Sequence, residues 1–465
     1  MKLAPARGPA CDGPVTAQDS GPGDPRGDDG GAPPAASVEV SPGLHRRLVG
    51  RGGRPTWRRA LFLLWLGQVI SHFGDSLFHV GIFFLALQVT GSKAQSGLLL
   101  ALNFLPALGV GLFAGAFVDR HDRRRVLLLA DLVRAAAVAT IPLLAATQTL
   151  SPVALGAAML ALATGSAFFN PAIKALIPEL VPANHLTATA TIFQLSEYAA
   201  LGLGPALAGL VIIPELGSIH LFSLDAATFV VSTLCVLALA PVARRRAHTP
   251  APLRINRLPI PLPDAGVVRE TIAGVKAVLA TPAVRGLLIF IALDNLLLTG
   301  LQQVATPLLV KESLGLGNDA FARVQSFFFL GMLVASAGLW ALARRVPKGM
   351  AILIGIALDG LSFIPLAFCR TLGQVELAVF VHALAVPLII IPRTVLMQQL
   401  VPGPLHGRAF ALINVTVFGM TAISAGLTGW LAELVRPQQL FMWLGVAGAA
   451  VGLAGFALRS LRTAR

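Results

Sequence analysis

The stretch Gly115-Ala116-Phe117-Val118-Asp119-Arg120-His121-Asp122-Arg123-Arg124-Arg125 decides the fold. It is a short, strongly cationic turn set between two long apolar runs, residues 95–118 and 126–147. Each run is long enough to cross a bilayer, which takes roughly 20 apolar residues. With so few residues between them, the two runs must form a tight helical hairpin. Cationic loops are retained on the inner side of a membrane, so these arginines set the orientation expected for the chain. Gly115 lets two helices approach closely, and Asp119 sits where a second element can be gripped. Both features mark the turn as a candidate latch.

Composition demands the same solvent. Of the 465 residues, 55% are hydrophobic and 12% charged, whereas a soluble domain carries about 25% charged residues. The net charge of +14 would suit a nucleic-acid partner, but the positions of the 36 Lys and Arg argue otherwise. Most fall in segments expected inside: Arg46, Arg47, Arg58 and Arg59 before the first span, Arg244, Arg245 and Arg246 mid-chain, and Arg459, Arg462 and Arg465 at the end. That pattern is topology and attraction to anionic lipid. No basic stripe is interleaved with aromatic residues, and Tyr198 is the only tyrosine, so no nucleic-acid partner is expected. Cys11, Cys235 and Cys369 are too scattered for a disulfide framework or a zinc site. The chain contains no phosphate-binding Gly-rich loop with Lys, no Gly-x-Ser-x-Gly, no Cys-x-x-Cys and no His-Glu-x-x-His. Neither an enzyme nor a cofactor is expected, and energy from ATP within this chain is excluded.

The apolar runs divide into about twelve spans: 60–88, 95–118, 126–147, 152–173, 187–212, 220–241, 285–310, 321–343, 350–369, 374–398, 409–433 and 438–459. The fold expected is an all-α membrane protein with two six-helix bundles. Residues 1–55, rich in Gly, Pro, Ala and Asp and without periodicity, are expected to form a disordered tail. The first bundle takes 56–241 and the second 285–465. Residues 242–284 form the linker, with a surface-lying amphipathic helix over 265–281. Six spans on each side of a long break is the layout of a transporter built from two parallel repeats. An even number of spans with basic ends places both termini in the cytoplasm. Ala343-Arg344-Arg345-Val346-Pro347-Lys348-Gly349 takes the position in the second half that the 115–125 turn takes in the first, but lacks the Asp.

Several short motifs follow one another in order. These are Ser71-His72-Phe73-Gly74-Asp75, the 115–125 turn, Asp131-Leu-Val-Arg134, Asn170-Pro171-Ala172, Ile177-Pro178-Glu179-Leu180-Val181-Pro182, and Gln398-Gln-Leu-Val-Pro402 with Gly407-Arg408. Together they resemble the major facilitator superfamily over residues 57–460, and within it the subgroup of macrolide and enterobactin exporters. The turn resembles that superfamily's gating motif, Gly-x-x-x-Asp-Arg-x-Gly-Arg-Arg. Gly115, Asp119, Arg120, Arg123 and Arg124 match, and Asp122 replaces the second glycine. The resemblance implies alternating access, with Asp119 held at the start of the eleventh span near Arg408, and with Asp131 and Arg134 paired beside the gate loop near the inner end of the third span. Gly202-Leu-Gly204-Pro205-Ala-Leu-Ala-Gly209 resembles the Gly-Pro signature of proton-coupled exporters. Proline bends the helix and the small residues permit close packing. Ordinary helix packing explains the same residues.

An ionisable residue inside a span costs roughly 2.5–3.5 kcal/mol on insertion scales and is a functional candidate by default. Asp75, Glu197, Asp225, Asp294 and Asp359 all lie in spans. Asp75 ranks first as a proton carrier, being central and also indicated by the resemblance. Glu197 and Asp294 follow. A structural hydrogen bond is the alternative for each. His72, Asp75 and His79 share one face of the first span, which suits a polar cavity lining or proton relay better than a metal. No metal is expected. Asn103 and Asn295 join His72 and His79 as cavity-lining candidates. Few cations lie at depth, so the cavity is expected to be mostly apolar and to favour amphipathic or cationic molecules over anionic ones.

The expected partners are a small-molecule substrate, protons and membrane lipids, for a monomer in the cell (inner) membrane. The function expected is proton-coupled export of drugs or amphipathic metabolites. Lysophospholipid or siderophore transport on the same fold is the first alternative, and a non-transporting scaffold or receptor the second.

Overall fold

The computed structural model describes residues 56–182, 185–239, 275–342, 347–402 and 405–462. Among them every regular element is helical. The first half contains α1 (Thr56–Thr90), α2 in two pieces (Lys93–Leu102 and Leu105–Arg120), α3 (Arg123–Ala146) and α4 (Pro152–Leu180). It continues with α5 (Leu186–Leu207, extended through Ala208–Ile212 to Ile213–Leu216) and α6 (His220–Leu237). The second half opens with α7 (Pro282–Gly300, extended to Leu309–Ser313) and α8 (Asn318–Leu342). There follow α9 (Lys348–Phe363), α10 in two pieces (Leu372–Ala383 and Val386–Leu400), α11 (His406–Leu434) and α12 (Pro437–Gly455). Ten helical runs are long and apolar enough to cross a membrane. The broken α2 and the 25-residue α8 complete the twelve.

Local rules set the turns. Ser92, Asp122, Ser151 and Thr371 each accept a hydrogen bond from the backbone N–H three residues on, at 3.0–3.4 Å, and so cap α2, α3, α4 and α10. Proline occupies the first helical turn of α4, α7 and α12, where its missing N–H costs nothing. Pro106 and Pro387 stand just beyond the breaks in α2 and α10, where a proline withdraws a backbone donor. In α4 the outcome differs from the sequence expectation. The helix does not stop near 173 but runs through Pro171 and Pro178 to Leu180. Prolines are tolerated in membrane helices because neighbouring helices and local adjustments re-satisfy the freed groups.

Residues 1–55 and 240–274, which hold the expected tail and most of the expected linker, lie outside the described residues. So does most of the amphipathic helix expected over 265–281, although 275–279 are helical.

Within the first half α1 packs on α5 and α6, and α3 on α4 and α6. Within the second, α9 packs on α10 and α12, α7 on α11, and α8 on α10. The halves meet chiefly along α2–α11 and α5–α8. Both seams depend on glycine. A side-chain carbon at Gly97 of α2 would strike the Ala425 carbonyl and come within 3.1 Å of the Gly429 Cα in α11. One at Gly209 of α5 would lie 2.7 Å from the Asp319 carbonyl oxygen and 2.9 Å from the Ala322 methyl in α8.

Polar contacts cap the α2–α11 seam. The Glu433 carboxylate accepts from Ser92 Oγ at 2.8 Å and from the Ala94 N–H at 3.1 Å, at the positive start of α2. Lys93 lies 2.9 Å from Glu312 at the end of α7 and donates to the Ala432 carbonyl at 3.2 Å. Toward the other end, which carries the 120–125 turn, the second piece of α2 packs on α11 only loosely, near Leu108–Gly419 and Phe104–Phe418. The molecule thus has a capped end and a basic end.

Overpacking a close seam costs about 1–3 kcal/mol, so Gly97→Leu should lower the melting temperature and open the capped end. Gly109→Leu, at a position with nothing within 4 Å, should leave both unchanged. Thermal unfolding of the purified variants checks this.

Candidate functional site

A cavity of about 370 Å³ lies between the halves. His79 and Phe83 of α1 and Asn103 and Phe104 of α2 line it from the first half. Asp294, Asn295, Gln302, Gln325, Phe328, Asp359, His382 and Arg393 line it from the second. The breaks in α2 and α10 both border it, at Asn103-Phe104 and at Val386. Of the cavity-lining candidates, His79, Asn103 and Asn295 are on its wall and His72 is not. Of the three coupling candidates, only Asp294 is.

The wall of the second half is densely polar. Asp294 and Asp359 are each 6% exposed and His382 is 3% exposed. His382 Nδ1 lies 3.1 Å from Asp359 Oδ1 and 3.0 Å from Ser362 Oγ. Its ring packs on Phe363 at 4.0 Å and stacks on Phe328 at 5.8 Å. Asp294 Oδ1 and Arg393 Nε have no hydrogen-bond partner among the described residues. Among the described residues Arg393 is the one Lys or Arg on a lining that is otherwise largely apolar, in keeping with the expectation that few cations lie at depth. Sequence reasoning passed over His382 and Arg393, yet a signal was present. They stand eleven positions apart, about three helical turns, and Val386, Ile389 and Ile390 between them recur at the same helical spacing and also line the cavity.

The charges of the first half are organised differently. His72 Nδ1 lies 3.7 Å from Asp75 Oδ2, and both side chains are part-exposed. Asp131 and Arg134 form a buried pair. The sequence reading paired them with each other and with the gate loop; the mutual pair is present, and its other described partners lie on α4 and α6. Asp131 accepts from Ser232 of α6 at 2.7 Å. The Arg134 guanidinium lies 3.9 Å from the centre of the Phe169 ring and 4.4 Å from that of Phe229, a cation–π sandwich. Asp225 is fully buried and neither carboxylate oxygen has a hydrogen-bond partner among the described residues. It abuts Gly74, where a side-chain carbon would also come within 3.0 Å of the Thr228 methyl. Glu197 is half-buried and accepts from Gln194 at 3.0 Å. Among the described residues no three His, Cys, Asp or Glu side chains converge as a metal set, so His72, Asp75 and His79 do not form one.

The basic turn is tied down within its own half. Asp122 accepts from the Arg125 N–H at 3.0 Å and so starts α3, a use for the aspartate that stands where the motif has glycine. Arg123 pairs with Glu179 and donates to the Ala175 carbonyl at 3.2 Å, at the end of α4. Arg124 donates to the carbonyls of Val236 at 3.1 Å and Leu237 at 2.7 Å, at the negative end of α6. Arg120 is exposed and ends α2. The surroundings of Gly115 and the side chain of Asp119 lie outside what is described, and with them the expected contact between Asp119 and α11. Arg408 is half-buried in the first turn of α11.

The Gly-Pro element joins α5 to two partners. Gly204 faces Ser76 and the Phe73 carbonyl of α1, whereas Gly202 faces Phe329 of α8 at 3.5 Å. After Pro205 the helix widens into a π-helical turn, Ala208–Ile212, which carries Gly209 against α8.

Residues 64–419 match the family described as Major Facilitator Superfamily. The chain belongs to that superfamily. It is a multi-pass membrane protein with a transporter fold. The multidrug efflux pump Tap of Mycolicibacterium fortuitum is 27% identical over 430 residues, which cover 88% of this chain and 97% of that protein. Macrolide efflux protein A of Streptococcus pyogenes is 31% identical over 154 residues, 33% of this chain and only 38% of that protein. Among solved structures, a bacterial homologue of the iron transporter ferroportin in an inward-facing state aligns with a TM-score of 0.67 at 16% identity, covering 88% of this chain and 99% of that one.

Removing one partner of a buried ion pair costs about 3–5 kcal/mol, because the other charge is left uncompensated. Arg134→Ala should therefore destabilise the fold by that amount, and the double variant Asp131→Ala with Arg134→Ala should recover much of it. Unfolding of the three proteins in one detergent checks this.

Proposed function

We propose that this superfamily member is a secondary active exporter. In this reading it moves amphipathic or cationic molecules out of the cell in exchange for protons, by alternating access. The observation that carries the reading is the cavity between the halves, with aromatic rings and buried carboxylates on its wall and the capped end drawn shut above it. Similarity to Tap and to macrolide efflux protein A supports export over uptake.

The basic end faces the cytoplasm in this reading, as the positive-inside rule requires, and both termini lie there in the inner membrane. The protein works as a monomer. The capped end, held by Glu433 and Lys93, is the outer gate. The 115–125 turn, with Asp131 and Arg134 beneath it and Arg408 across from it, belongs to the inner gate. Opening one gate while the other closes exposes the cavity to each side in turn. Gly202, Gly204, Pro205 and Gly209 form the surface on which α5 moves against α1 and α8. Asp75, Glu197 and Asp294 are the carboxyl groups offered to protons. Phenylalanine rings and acidic groups attract a lipophilic cation.

Purified protein reconstituted in vesicles with an interior pH dye tests the reading. Lipophilic cations or macrolides should drive proton movement, and Asp75→Asn should abolish it. Substrate movement without proton flux, unaffected by Asp75→Asn, would overturn proton coupling. Movement of lysophospholipids alone would replace the substrate class.

A further inference from the structure

The basic turn keeps two cations that its anchoring does not use. Arg123 and Arg124 are engaged at the ends of α4 and α6. Arg120 and Arg125 are exposed, and their guanidinium groups have no polar partner among the described residues. Both border a groove of about 640 Å³. It lies between the second piece of α2 and α3, with α4 as its floor. Each of those two helices packs on α4, yet they scarcely touch one another. Two such arginines at the mouth of an apolar cleft suit an amphiphilic anion. We propose that this groove holds one anionic phospholipid, with its phosphate between Arg120 and Arg125 and an acyl chain laid along α3.

Dimensions and chemistry both favour a lipid. From Arg125 to Val133 the groove climbs about 12 Å along α3, at roughly 1.5 Å per residue. One leaflet offers about 15 Å of hydrocarbon. Beyond the arginines the walls are apolar: Phe117, Leu129, Val133 and Phe168. Leu129 is 65% exposed. The polar groups nearby are already satisfied. Thr164 donates back to the Leu160 carbonyl at 2.7 Å, and Asp122 accepts from the Arg125 N–H. His121 stacks on Phe117 at 3.8 Å and donates from Nδ1 to the Phe117 carbonyl at 2.8 Å, which fixes the wall beside Arg120. At the mouth, the planar guanidinium fork matches phosphate oxygens.

Other occupants match only part of the groove. A free phosphate would leave the apolar walls uncovered, and a lipophilic cation would meet two like charges. A zwitterionic lipid brings a cation of its own to the two arginines. An anionic phospholipid answers both the charge and the walls. Seated there, it touches α2 and α3 together and ties the second piece of α2 to the helices that the turn fastens. The site depends neither on the identity of the transported molecule nor on proton coupling.

Native mass spectrometry of the full-length protein in detergent, titrated with dioleoylphosphatidylglycerol or dioleoylphosphatidylcholine, tests the site. Wild type should retain one phosphatidylglycerol in preference to phosphatidylcholine. Each cation beside an anionic headgroup is worth roughly fivefold in affinity, so Arg120→Gln with Arg125→Gln should weaken phosphatidylglycerol binding roughly thirtyfold. Lys276→Gln with Arg285→Gln removes the same charge from exposed positions at the basic end, outside the groove, and should leave binding unchanged. Leu129→Asn keeps both arginines and should also weaken binding, because the chain loses an apolar wall. An equal loss in the Lys276 and Arg285 variant would reduce the effect to diffuse surface charge and overturn the site. Equal binding of phosphatidylcholine would overturn it too. Displacement by soluble glycerol phosphate at the same concentration, or binding indifferent to Leu129→Asn, would make it a phosphate site and overturn the lipid.

Discussion

Water is missing from the hydrocarbon layer, and most of this structure follows from that. A backbone N–H or C=O left unpaired there costs several kcal/mol, so the chain crosses as helices and turns only at the two surfaces. Several departures from regular helix lie at the central cavity or where helices pack closely. The breaks in α2 and α10 border the central cavity. The π-helical turns of α5 and α7 occur at 208–212, 301–305 and 309–313, all in the parts of those helices nearer the capped end. There α5 meets α8, and α7 ends at the Glu312–Lys93 contact.

The same scarcity of water governs the charges. In the first half Asp131 is cancelled by a guanidinium that is itself clasped by two aromatic rings. His72 and Asp75, though close, remain part-exposed. In the second half the acidic and basic groups line the cavity and are incompletely paired. Two bundles of like architecture therefore carry unlike electrostatics: the first holds a sealed pair and a separate Asp225 without a hydrogen-bond partner among the described residues, the second a cluster open to the cavity.

The helical hairpins were legible in the sequence because their signals are local: apolar length, N-capping Ser, Asp or Thr, and arginines in the turns. The position of α2 and α3 around Arg120–Arg125 could be read to within a few residues. The far end of α4 could not, since Pro171 and Pro178 act as breakers in water and are tolerated between packed helices. Asp294 stood out as a lone acid in an apolar run. His382 and Arg393 escaped because their relation is an eleven-residue helical spacing across the break at Leu384-Ala385, easily missed when each is considered singly. The contact of Glu433 with Ser92 joins residues 341 positions apart. Nothing in either local sequence announces it.

The anchoring of the basic turn constrains how the protein can move. Asp122 fixes the first turn of α3, Arg123 fastens it to the end of α4, and Arg124 fastens it to the end of α6. A segment clamped to three helix ends is not a flap. It behaves as a rivet through the floor of the first half, so that α3, α4 and α6 travel together. Flexing must then be taken up elsewhere, in helices with a built-in discontinuity such as the interrupted α2 and the widened α5, which are also the two that meet the opposite half along its main seams.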